Sequence, residues 1–283
     1  MAEESKRKTI LSYEVFPPKK TSSIDTIYKT LDELKELKPD FISVTYGAGG
    51  GGNSDATFEI ASLIQSYGIK SVVHIPCIAL KKDDVREKLK QLKAMGIQDI
   101  LALRGDEPEG EFERGDFKYA SDLITFIKAE DPSFNITAAC YPEGHQESEN
   151  IVEDMKHLKI KVDAGVEHLI SQMFFDNDYF YAFRERCELS GIQVPIEAGI
   201  MPVVNKKQIE RMATLCGATV PKKFKDMMER YADDPLAMRD AGIAYAIDQI
   251  VDLIAHGVDG IHLYTMNNPY IAKKIHEAVH RLL

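Results

Sequence analysis

Apolar residues along this chain fall into two alternating rhythms. Short β-rich runs stand at "TILSYEVF" (9–16), "DFISVTYG" (40–47), "KSVVHIPC" (70–77), "DILALRG" (99–105), "NITAACYP" (135–142), "EHLISQMFF" (167–175), "VPIEAGIMP" (194–202) and "DGIHLYTMN" (259–267). Between them lie longer segments whose apolar positions recur every three or four residues, such as "IDTIYKTLDELKEL", "DDVREKLKQLKAMG" and "KKQIERMATLCG". The first rhythm predicts strands and the second amphipathic helices. Five of the helical segments run out at Gly68, Gly96, Gly165, Gly191 and Gly217, the residue that closes a helix in a left-handed conformation.

Strict alternation of strand and helix means a parallel sheet. Eight such units in 283 residues predict an α/β (β/α)8 TIM barrel, with an open doubly wound sheet as the alternative. The seventh interval is about twice the length of the others and holds extra helices near 221–231 and 235–256. No linker or low-complexity stretch divides the chain, so residues 1–283 read as a single catalytic domain.

Composition narrows the partners. The net charge is −10, with basic residues scattered along the chain, which argues against nucleic acid or an anionic membrane. An anionic ligand must then be held by a few local cations and backbone amides. Cys77, Cys140, Cys187 and Cys216 are far apart, without the spacing of a zinc site, an iron–sulfur cluster or a disulfide framework. No metal is expected, and a reduced, cytoplasmic setting is. The opening "MAEESKRKTI" is charged and runs directly into a strand, so no leader peptide is expected.

In a (β/α)8 barrel, chemistry gathers where strands run out into loops. The strand ends here carry Glu14; Thr45 and Tyr46 before the glycine-rich "GAGGGGNS"; His74; Arg104 and Asp106; Tyr141, Glu143 and His145; Gln172 and Asp176; and His262, Tyr264, Thr265 and Asn267. Any one of them alone fits an ordinary rim residue. The glycine run fits a turn that brings backbone close to something, and it does not follow the first strand as a dinucleotide fingerprint would. Glu14 stands apart, flanked by Tyr13 and Val15. Burying an unpaired carboxylate costs several kcal/mol or raises its pKa, and a raised pKa suits a general acid. "LALRGDEPEG" places Arg104 and Asp106 on either side of Gly105 at a strand exit, which fits the floor of a site better than an adhesion tripeptide.

Taken together, "SYEVFPPK", "DFISVTYGAGG", "VVHIPCI", "ILALRGDEPEG" with "KYASDLI", "AACYPEGHQES", "DMKHLKIKVDAGVEHLISQMFFD" and "AGIMPVVNKKQI" resemble the methylenetetrahydrofolate reductase family, in order from about residue 9 to 268. The resemblance implies a barrel that binds FAD and reduces 5,10-methylenetetrahydrofolate to 5-methyltetrahydrofolate, with NADH or NADPH as hydride donor in a ping-pong cycle. It implies Glu14 as the acid that opens the folate ring, and Asp106 between flavin and folate. Gln172, Gln208 and Thr45 fall at substrate positions. Thr45, Tyr46, Ala48, His74, Arg104, Gly105, Asp106, Ala120, Tyr141, His145, Asp154 and Lys161 fall at FAD positions, with Arg104, His145 and Lys161 as neighbours of the phosphates. A homo-oligomer is implied as well. The chain departs from the family pattern at Met212, where relatives carry an aromatic, at Asn268, where they carry an arginine, and at Ile160–Lys161, where they carry an arginine-rich pair. These changes lie on the donor side, so electrons from a partner redox protein remain an alternative, as does a non-catalytic flavin- or folate-binding subunit or another flavin barrel acting on a cyclic amine.

Overall fold

The structure, a computed structural model, describes residues 8–18, 23–46, 54–107 and 112–283. Eight parallel strands close into a barrel in sequence order: β1 (Ile10–Val15), β2 (Phe41–Val44), β3 (Lys70–Pro76), β4 (Asp99–Leu103), β5 (Asn135–Cys140), β6 (His168–Ser171), β7 (Ile196–Ile200) and β8 (Gly260–Tyr264). Closure is made by β1 against β8, in register from Ile10 opposite Gly260 to Glu14 opposite Tyr264. That closure rules out the open-sheet alternative.

Alternation along each strand divides two layers. Leu11, Tyr13, Val15, Ile42, Val44, Ile261 and Leu263 face outward and merge with the apolar stripes of the helices into one continuous core. Helices α1 (Asp25–Lys35), α2 (Ser54–Ser66), α3 (Lys82–Ala94), α4 (Ala120–Glu130), α5 (Ile151–Asp163) and α6 (Asn177–Leu189) each lie between consecutive strands. The five glycines expected at helix ends all have positive φ, from 69° to 120°. Inward positions are different in kind. Phe41, Val72, Leu101 and Ile170 form a small apolar cluster inside the barrel, while Ser12, Ser43, His74, Glu197 and His262 are buried polar residues.

Between β7 and β8 the chain adds α7 (Lys206–Cys216), α8 (Lys222–Arg230) and α9 (Pro235–Ala255), and α10 (Pro269–Val279) follows β8. Pro235 at the first turn of α9 has no amide to leave unsatisfied, and Asp234 accepts from Leu236 N and Ala237 N, as a helix start requires. These added helices pack on a second core of Met173, Phe175, Met201, Phe224, Met228 and Met238. Tyr245 on α9 donates to the Phe175 carbonyl at 2.6 Å, which fastens the addition to the exit of β6. Among the described residues, no helix is long and apolar enough to cross a membrane.

Candidate active site

Glu14 lies one residue before the end of β1, with its side chain 19 % exposed. Its Oε2 is 3.6 Å from His74 Nε2 and 3.8 Å from His262 Nε2. The expectation of an unpaired buried carboxylate is therefore corrected: the group is half-buried and faced by two imidazoles. Burial pushes the pKa of His74 down to about 4, against the upward pull of Glu14, so this imidazole is neutral at neutral pH. His74 Nε2 and Thr45 Oγ1 are buried without a hydrogen-bond partner among the described residues. Buried polar atoms are rarely left so.

At the exit of β4, Gly105 adopts φ 86°, a conformation that disfavours side chains. A Cβ there would stand 2.9 Å from Pro76 Cβ, so glycine is required on two counts. The turn is held by Ile78 N donating to the Arg104 carbonyl at 2.8 Å. The two charges then part. Arg104 forks onto Glu147, its Nη2 donating to Oε1 at 2.6 Å, and this pairing holds its pKa above the usual guanidinium range. Asp106 is exposed. The cation expected near phosphates thus already has an anion on it.

The β5 and β6 exits are tightly built. Tyr141 meets His145 edge-on with centroids 4.6 Å apart. Lys161 Nζ lies 5.9 Å from the Tyr141 ring and donates to the Ala139 carbonyl at 2.8 Å. Burial lowers the pKa of Lys161 and of His145. Asp154, buried, accepts from Ser148 Oγ at 3.0 Å. Gln172 Oε1 accepts from Met173 N at 2.9 Å, which leaves the amide NH2 as the end for a ligand. Tyr141, Gly144, Gln172, Met173 and Cys216 line a shallow cleft against the end of α7.

The remaining expected residues are more peripheral. Tyr46 follows β2, with Lys88 Nζ 5.2 Å from its ring, and Ala120 is the buried first residue of α4. Gln208 sits in the first turn of α7, its N–H donating to Asn205 Oδ1 at 3.0 Å, outside the strand-end ring. Met212 packs on the methionine-rich core, and Asn268 caps α10 by accepting from Ile271 N at 3.4 Å. Ala48 and the glycine run lie outside the described residues.

Glu197, Ser12 and His168 are not among the residues expected from the strand ends. Glu197 is fully buried in the barrel, with Oε1 2.6 Å from His168 Nε2 and Oε2 accepting from Ser12 Oγ. The signal was present: "VPIEAGI" sets an acid among apolar residues as "SYEVF" does.

A ring of ionisable groups on the C-terminal rim is where such barrels carry out chemistry, and the fold and site define a (β/α)8-barrel enzyme. The family model for methylenetetrahydrofolate reductase matches residues 1–280. A 5,10-methylenetetrahydrofolate reductase of Pectobacterium carotovorum is 36 % identical over 94 % of this chain and 88 % of its own, and that of Escherichia coli is 37 % identical over 91 % and 86 %. Methylenetetrahydrofolate reductase (NADH) 1 of Arabidopsis thaliana is 35 % identical over 92 % of this chain, which spans 46 % of the plant protein. The chain belongs to the methylenetetrahydrofolate reductase family. In fold it is similar to a Clostridium thermocellum protein that binds two copies of 5-methyl-5,6,7,8-tetrahydrofolic acid, with TM-score 0.69, 13 % identity, and coverage of 98 % of this chain and 95 % of that one.

Proposed function

We propose that this reductase is flavin-dependent, with FAD at the C-terminal face and NAD(P)H as the donor of the hydride that reaches 5,10-methylenetetrahydrofolate. The observation that carries the reading is Glu14 at the mouth, faced by two imidazoles of which one, His74, is neutral. The residues present fit the cofactor. Thr45 Oγ1 and His74 Nε2 are buried polar atoms without hydrogen-bond partners among the described residues, Gly105 leaves the β4 exit without a side chain, and Gln172 uses its Oε1 on Met173 N and turns its NH2 to the ligand. Thr45, Tyr46, His74, Arg104, Gly105, Ala120, Tyr141, His145, Asp154 and Lys161 would hold the dinucleotide. Bound there, FAD would accept a hydride from NAD(P)H and pass one to the folate.

The chain's own part is positioning and proton transfer. Glu14 gives its proton to N10 of the methylene bridge, the C–N10 bond breaks, and the remaining carbon is left as an iminium on N5. A hydride at that carbon completes the 5-methyl group. Asp106, exposed at the β4 exit, supports the cationic carbon as an anion and hydrogen-bonds the pterin. Gln172 orients the pterin through its NH2. The plant relative's printed name includes NADH and the clostridial neighbour binds the methylated folate; both support the reading. Met212, half-buried on α7 against the methionine-rich core, and Asn268, committed to a helix cap, leave the donor side without the family's aromatic and arginine, and favour a second reading in which a partner protein delivers the electrons.

Anaerobic stopped-flow mixing of the oxidised protein with NADH, and separately with NADPH, tests both. Bleaching of the flavin, followed by recolouring with methylenetetrahydrofolate, is expected. A protein that carries no flavin, or whose reduced flavin the folate does not reoxidise, would overturn the proposal. No bleaching by either nucleotide, with reoxidation by folate after chemical reduction, would move the donor to a partner.

A further inference from the structure

Each turnover proposed above takes a proton from Glu14, and that proton must be replaced before the next. The barrel interior holds a line of groups leading away from Glu14 toward the other end. His262 Nε2 is 3.8 Å from Glu14 Oε2, and its Nδ1 is 2.6 Å from Ser12 Oγ. Ser12 Oγ is in turn hydrogen-bonded to Glu197 Oε2, and Glu197 Oε1 lies 2.6 Å from His168 Nε2. His168 opens β6 at the N-terminal end of the barrel, with its side chain 18 % exposed. Every link up to His262 is within hydrogen-bond reach. The last gap is spanned by Glu14 itself, whose carboxyl makes no hydrogen bond to a described residue and is free to turn.

Glu197 needs an explanation of its own. It is a carboxyl of zero exposure that, among the described residues, has no lysine or arginine on it, only His168, Ser12 and, at 4.0 Å, His262 Nδ1. Room is made for it: opposite in register is Gly260, where a Cβ would come within 2.6 Å of Glu197 Cγ. A buried acid is costly unless its hydrogen bonds are complete. The other groups facing the line are His74 from β3, Ser43 from β2 at 3.5 Å from His262 Nε2, and Tyr264, edge-on to His262 with its own pKa raised by burial. Phe41 stacks on His262, β4 and β6 contribute Leu101 and Ile170, and β5 contributes Thr137, opposite Leu101 and His168 in register.

We infer that Glu197 is a positioning residue that reloads Glu14 with a proton through Ser12 and His262. The inference rests on the reading of Glu14 as the folate acid. With Glu14 ionised, the Glu197 carboxyl donates to Ser12, the Ser12 hydroxyl donates to His262 Nδ1, and His262 Nε2–H faces Glu14. One concerted shift moves a proton along each link. Glu14 then carries the proton, His262 holds its own on Nδ1, and Glu197 is left as the anion. His168, protonated from solvent at its exposed edge, restores the proton to Glu197. No bond other than O–H and N–H changes, and charge is conserved.

The test is Glu197→Gln in the flavin-loaded protein, with Ser12→Ala as a second break in the line. The first turnover uses the resident proton and should proceed within about twofold of wild type. Later turnovers should slow by roughly tenfold or more, at the low side of what a positioned proton transfer contributes, and the deficit should shrink as pH falls. A merely structural role would slow the first and later turnovers alike. That outcome, or no slowing at all, overturns the relay. If Glu197→Gln does not fold, His168→Gln at the half-buried end carries the same comparison. If wild type does not reduce methylenetetrahydrofolate, the functional reading fails by itself, and infrared spectroscopy of the protein still reads the relay. A protonated-carboxyl band should then survive Glu14→Gln and Glu197→Gln singly and vanish in the double variant; its absence from wild type overturns the proposal.

Discussion

Asn267 grips the backbone of Phe16 with both ends of its amide, Nδ2 donating to the Phe16 carbonyl at 2.8 Å while Phe16 N donates to Oδ1 at 3.1 Å. Two residues earlier, Thr265 donates its hydroxyl to the Glu14 carbonyl at 2.6 Å. The exit of the last strand therefore fixes the exit of the first, where the acid stands. Asn267→Ala removes both amide bonds and puts a residue less suited to φ 54° in place. A loss of about 2 kcal/mol is expected in urea unfolding, together with a fall in folate turnover larger than any change in flavin content.

Glu14→Gln separates the two halves of the proposed cycle. The amide keeps the shape of the side chain and has no acid proton to give. Folate reduction should fall by roughly a hundredfold or more, while bleaching by NADH stays within a few-fold of wild type. Equal loss of both in a folded, flavin-loaded variant removes Glu14 from its role. Asp106→Asn should likewise slow folate reduction and raise the flavin potential in a redox titration, since an anion beside the flavin disfavours adding electrons.

His74 gives the barrel an acid sensitivity. Its pKa is pushed from 6.5 down to about 4 by burial, so between those values the unfolded chain binds a proton that the folded barrel refuses. The stability at stake is fully present above pH 6.5 and is lost as pH falls toward 4, by on the order of 3 kcal/mol. Urea unfolding at pH 7 and pH 4.5 should show the drop, and His74→Gln should flatten it. An unchanged slope in that variant would assign the acid sensitivity elsewhere.

Arg104 is shared between a protein anion and the phosphates proposed for it. Its pairing with Glu147 is partly exposed, and such pairs contribute about 0–1 kcal/mol to stability. Glu147→Gln should therefore leave unfolding nearly unchanged and tighten flavin binding a few-fold, by releasing the guanidinium. Arg104→Ala should loosen flavin binding by roughly tenfold or more, the scale of a charge-assisted phosphate contact. Flavin fluorescence on dilution measures both, and equal affinities in all three proteins would place the phosphates away from Arg104.

The barrel was legible because each strand carries its apolar residues on the period its neighbours demand, and each helix end bears its glycine. The extra helices near 221–231 and 235–256 emerge as α8 (Lys222–Arg230) and α9 (Pro235–Ala255), since Pro221 and Asp234 mark their starts in the sequence. Glu14 was legible because an acid between Tyr13 and Val15 breaks a pattern. Its partners were less so. Which imidazoles face it depends on how eight strands are staggered at closure, and the pairing of Glu14 with Tyr264 is a fact of register that no single strand contains. Glu197 broke the same pattern but stands second in β7, three residues short of its exit, and attention to strand ends alone passes over it. Arg104 was rightly placed at a strand exit, whereas its engagement by Glu147, 43 residues on, is a matter of loop packing.

The methionines under α7–α9 give the molecule an uneven stiffness. Thioether side chains have three rotatable bonds and refill a changed space at little cost, whereas branched aliphatics such as Ile42, Val44, Val73 and Ile75 behind β2 and β3 hold one shape. A guest settling against the α7–α9 addition thus meets a cushion, and one settling against β2 and β3 meets a mould. Two molecules of different outline can take turns at such a mouth, with discrimination made on the hard side and accommodation on the soft one.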